Sequence, residues 1–102
     1  MTRQTIPLVG GAVNAHQTIN IQLGNNFIDI TFDYRTIIEQ WSVKIEQDGI
    51  ILATGIMLQP NINILQNYPD LAPTIGAIYF VGDEATLDNL GSANSLVWES
   101  PS

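Results

Sequence analysis

Between Thr18 and Tyr34 apolar and polar residues alternate. Ile19, Ile21 and Leu23 oppose Thr18, Asn20 and Gln22. After Gly24-Asn25-Asn26, Ile28, Ile30, Phe32 and Tyr34 oppose Asp29, Thr31 and Asp33. Successive side chains of a strand point to opposite faces, so a period of two residues marks half-buried strands. Parity then selects the turn. A two-residue loop, Gly24-Asn25 or Asn25-Asn26, pairs odd positions with even ones and sets both apolar rows on one face. A three-residue loop would set apolar against polar and is disfavoured.

A second hairpin follows. Trp41, Val43 and Ile45 alternate with Ser42, Lys44 and Glu46, and Asp48-Gly49 is a turn in which both residues tolerate positive φ. The same parity pairs Ile45 with Leu52 and Trp41 with Ile56. Even positions of the run from Ile50 to Leu58 then face the core, and Ile51, Ala53 and Met57 face away from it. An apolar second face implies a second layer or a subunit contact.

Pro60 ends that run. Asn61 or Asn63 is placed to cap a single helical turn through Ile64-Leu65-Gln66, and Pro69 and Pro73 stop anything longer. Ile75 to Val81 reads as a buried strand, residues 82–91 as a polar loop, and Ser95 to Ser100 as a last strand with Leu96 and Trp98 on one side and Val97 on the other. At the other end of the chain, Gly10-Gly11 separates a short apolar run from the first alternating strand. The sum is all-β: a single domain over residues 1–102, a small sandwich or partly open barrel of about seven antiparallel strands with at most one short helical turn.

Composition narrows the functions open to such a domain. Charged residues make up 13% of the chain, against about 25% in an ordinary soluble domain, so the surface is either unusually neutral or partly covered by a partner or by copies of itself. Ten acids against three bases give a net charge of −7. No basic patch is available to neutralise phosphates or to meet an anionic membrane, so direct nucleic-acid binding and membrane attachment are disfavoured. The absence of cysteine excludes disulfides and thiolate chemistry. The N-terminal stretch has no secretory pattern, and no apolar run approaches the ~18 residues of a membrane span.

Few residues of the chain offer chemistry. His16 is the one histidine, expected in the loop before the first alternating strand, with no serine or orienting acid beside it in a catalytic pattern. Asp83, Glu84 and Asp88 cluster in one loop and raise the question of a cation, but their spacing matches no calcium loop. Asp29 and Asp33 lie about 13 Å apart along one strand, too far for most paired-carboxylate chemistry. Trp41 and Trp98 are the residues a sugar-binding module would use, but both fall on apolar faces and read better as core. No catalytic, cofactor or metal site emerges, and an enzyme is not expected.

The order of the segments carries more than any one of them. Ile6-Pro7-Leu8, Trp41, Asp48 and Gly49, Gly55-Ile56 with Leu58, Leu65 with Tyr68, and Asp88-Asn89-Leu90-Gly91 follow one another along nearly the whole chain. This succession resembles the bacteriophage baseplate plug family, small proteins of contractile-tailed phages. The resemblance implies a virion component at the tail baseplate, near the central hub, with no enzymatic activity and no cofactor. It implies partners among the hub, tube or spike proteins; a homo-oligomer, with a trimer beside a trimeric hub favoured, and a monomer in isolation are both compatible with these residues. In that setting the surplus apolar residues become contact candidates: Ile37, Ile38, Ile51 and Met57. The alternative from the residues alone is a small-ligand or carbohydrate-binding β module.

Overall fold

The computed structural model describes residues 3–101. Its strands are β1 (Arg3–Ile6), β2 (His16–Leu23), β3 (Asn26–Arg35), β4 (Gln40–Gln47), β5 (Ile50–Met57), β6 (Ile62–Asn63), β7 (Ala77–Gly82) and β8 (Asn94–Glu99). They form two four-stranded antiparallel sheets, β2-β3-β4-β5 and β1-β8-β7-β6. The fold is thus all-β, with eight strands where the pattern predicts about seven. The helical content is two single 3-10 turns, Ala12–Asn14 and Pro69–Leu71.

The first hairpin follows the parity rule. Ile21 stands opposite Ile28 and Ile19 opposite Ile30, across the two-residue loop Gly24-Asn25. The second turn is Asp48-Gly49, and both residues have positive φ (53° and 79°), as a type I′ turn demands. Beyond that turn the register departs from simple pairing. Two irregularities insert extra residues into β5, so that Ile45 faces Ala53 and Val43 faces Ile56. Trp41 consequently lies across from Leu58, whose amide donates to its carbonyl (3.1 Å), and not from Ile56. Ala53 is buried in the core, contrary to the outward position that unbroken parity gives it. Bulges of this kind bend a strand and re-aim its side chains.

The first strand ends before Pro7, which has no amide to donate to a ladder. Two other expectations shift. His16 is the first residue of β2 and not a loop residue. Asn63 does cap a turn, accepting from the Leu65 amide (3.0 Å), but the 3-10 turn forms later, with Pro69 opening it.

The core lies between the sheets. One sheet contributes Leu23, Ile28, Ile30, Phe32, Trp41, Val43 and Ile45; the other contributes Ile6, Ile78, Phe80, Leu96 and Trp98, all buried. Each such side chain contributes roughly 1.5–3 kcal/mol of transfer free energy, which is what holds a domain without disulfides. The strand register gives the sandwich two ends. At the base lie the turns 24–25 and 48–49, and Asn26 Nδ2 donates to the Thr74 carbonyl there (3.0 Å). At the tip lie the β3–β4 turn, residues 36–39, and the β7–β8 loop, residues 83–93.

Candidate docking surface

The segments on which the family resemblance rests turn out to be braces. Trp41 is fully buried and its indole N–H donates to the Thr86 carbonyl (2.9 Å), tying β4 to the β7–β8 loop. Tyr34 packs edge-on against it, with ring centroids 5.5 Å apart. Within that loop Asn89 is the organiser. Its carboxamide oxygen accepts from the Thr86 amide (2.7 Å) and its nitrogen donates to the Glu84 carbonyl (2.9 Å). Leu90 inserts into the core. Gly91 has φ +86°, and a Cβ there would overlap the Leu8 carbonyl. The Gly11 amide donates to Leu87 O (2.6 Å). Ile6-Pro7-Leu8 and Asp88-Asn89-Leu90-Gly91, far apart in sequence, are therefore pressed together at the tip side of the molecule. Tyr68 is a brace of another kind: its hydroxyl donates to the Thr54 carbonyl (2.8 Å) and lies 3.4 Å from the Thr54 amide.

With most of those residues committed to holding the fold, the apolar surface available for recognition lies elsewhere. Large apolar side chains remain outside the core at Val9, Val13, Phe27, Ile37, Ile38, Ile50, Ile51 and, apart from these on β7, Val81, with Ile37 99% and Val13 93% exposed. Two groups emerge. Ile37 and Ile38 project from the β3–β4 turn at the tip. Val13 joins them there, from the 3-10 turn that precedes β2 at the same end, with Val9 just before it. Ile50 and Ile51 begin β5 at the base, where Phe27 lies near the start of β3. Met57 ends β5 toward the tip, opposite Ser42, and is half-buried. The four sequence candidates are thus not one patch: Ile37 and Ile38 mark the tip, Ile51 the base, and Met57 the margin of β5.

Val13 and Phe27 escape the sequence reading for different reasons. Val13 sits in an aperiodic stretch that offers no face to assign. Phe27 carried a signal, because its odd position puts it on the Asp29 and Thr31 face, where an apolar residue breaks the alternation.

Charge is unevenly matched. Among the described residues, Arg3 pairs with Glu99 and Lys44 with Glu46 (3.0 Å), while Arg35 donates to Ser42 Oγ (3.2 Å). His16 pairs with Asp33, and Asn20 donates to Asp29, so the outer face of the β2–β3 hairpin is laced by side-chain bonds. At the tip, Glu39, Glu84 and Asp88 share a recess of about 410 Å³ with Tyr34, Ala85, Thr86 and Leu87. The exposed isoleucines therefore stand beside an acidic hollow. No group of three or more metal-ligating side chains occurs among the described residues, and Asp83, Glu84 and Asp88 do not converge. Neither tryptophan can serve as a sugar platform, since both rings are buried and the Trp98 N–H is spent on the Ile75 carbonyl (2.6 Å). Among the described residues no helix is long and apolar enough to cross a membrane.

The arrangement is that of a braced block with apolar projections. A family model described as "Cyanophage baseplate Pam3 plug gp18" matches residues 3–101. No curated protein sequence matches the chain. A match over essentially the whole domain fixes the assignment: the chain belongs to the cyanophage baseplate plug family.

Proposed function

We propose that the protein is a structural plug of the tail baseplate that docks, tip first, onto the proteins at the hub or the end of the tube. Family membership supports a structural baseplate role in the virion tail and speaks against an enzyme. The observation that carries the docking reading is the exposure of Ile37, Ile38, Val9 and Val13 at one end of the domain, away from the side chains that fill its core. Burying each of these side chains against a neighbour returns roughly 1.5–3 kcal/mol before ordering costs are met. The recess formed by Glu39, Glu84 and Asp88 beside them selects a basic counterpart and steers the approach. Ile51 and Met57 provide a second strip of contact along β5, and three copies around a central hub are the arrangement we favour. The net charge of −7 keeps this block from adhering to passing DNA, whose phosphates it repels over about 10 Å.

The test is a mass measurement in solution, of the purified protein alone and mixed with the hub protein of the same tail. A complex that forms with the hub, and weakens as salt rises, is the expected result. Two components that migrate independently at all concentrations would contradict hub docking.

A further inference from the structure

The two sheets have four edge strands, and three of them are blunted. β1 has only four residues, begins with Arg3 and runs into Pro7. β6 has two residues. β5 is broken by two register shifts, and the Tyr68 hydroxyl sits at the backbone amide and carbonyl of Thr54. Bulges, shortness, charge and proline are the devices that stop an edge from pairing with another chain.

β2 has none of them. Its eight residues, His16 to Leu23, pair with β3 in unbroken register and contain no Pro, Lys, Arg, Asp or Glu. Among the described residues no strand lies on its other side. The core beneath this edge is also incompletely covered. Ile19 and Ile21 are half-buried, whereas their partners Ile30 and Ile28 on β3 are fully buried.

We infer that β2 receives an extended segment of a neighbouring baseplate protein as an added strand. The chemistry of that segment follows from both faces. Alternate residues must be apolar, to close over Ile19 and Ile21. The residues between them lie on the outer face about two strand spacings, ~10 Å, from Asp29 and Asp33; those carboxylates already meet Asn20 and His16, and it is the net charge of −7 that favours Lys or Arg in the added segment. A second copy of this chain fits worse: its β2 carries no Lys or Arg, and it brings a further charge of −7. Main-chain bonds supply affinity in such an addition, and the alternate side chains supply specificity.

This strand addition presupposes the baseplate role proposed above, and residue-resolved hydrogen exchange separates the two. Exchange is compared between the purified protein and the protein within assembled tails. Strand addition protects the outward-pointing amides of β2, every second one, and slows them by about tenfold or more, while the others are already slow through β3. That alternating gain, seen only in tails, is expected. Protection elsewhere with β2 unchanged overturns the added strand and leaves docking intact. Protection of β2 in the purified protein, with a doubled mass, assigns the edge to a second copy and overturns the heterologous partner. Absence of the chain from tails overturns this inference and the baseplate role together.

Discussion

Single residues at the tip show how little room this small fold leaves for change. Gly91 combines φ +86° with a carbonyl where a Cβ would stand. Alanine there must either move the Leu8 segment or surrender the loop conformation. Gly91→Ala is expected to lower unfolding free energy by about 2–4 kcal/mol, read as a shift in denaturant midpoint with little change in slope. A change below about 0.5 kcal/mol would show that the two segments are not locked together as described. Trp41 is held in the same way: its indole is the hydrogen-bond partner of a loop carbonyl as well as a core filler. The sequence places Trp41 in the core by alternation alone. It offers no hint that Thr86, forty-five positions on, is what fixes the ring.

At the scale of elements, hairpins are local and therefore readable. The Gly24-Asn25 loop and the Asp48-Gly49 turn each follow from residue type and parity, and both registers begin as the alternation requires. The reading fails where β5 meets its bulges, because unbroken parity runs straight through Gly55, whose φ of +70° lies within the second register shift along β5. Ala53 turns inward for that reason. Which of the four edges stay open was equally hidden, since sheet order is set by packing between distant segments. Tyr68 illustrates the point: nothing near it in sequence reveals that its hydroxyl covers Thr54 on β5. Tyr68→Phe removes that cover. The expected result is a loss of about 0.5–1.5 kcal/mol in chemical denaturation, together with a rise in concentration-dependent self-association as the β5 edge opens. Unchanged stability and a strictly monomeric variant would mean that the hydroxyl does not guard this edge.

The whole molecule divides into parts that hold and parts that reach. Trp41, Tyr68, Asn89 and Gly91 brace the sandwich, and the reaching parts are the tip, with Ile37 and Ile38, and the open edge at β2. Both candidate surfaces were only partly legible: isolated apolar residues in a turn are visible in a sequence, but their convergence with Val9, Val13 and the acidic recess exists only in three dimensions. Because Ile37 and Ile38 lie outside the core, changing them should cost the fold less than about 0.5 kcal/mol, and this separates docking from stability. The most direct measurement is the amount of an Ile37→Asp/Ile38→Asp variant retained in tails of a phage lacking its own plug, relative to the unaltered protein. A variant that melts like the parent yet is largely missing from tails is the predicted result; a variant that melts like the parent and enters tails at parental levels would contradict docking through the tip.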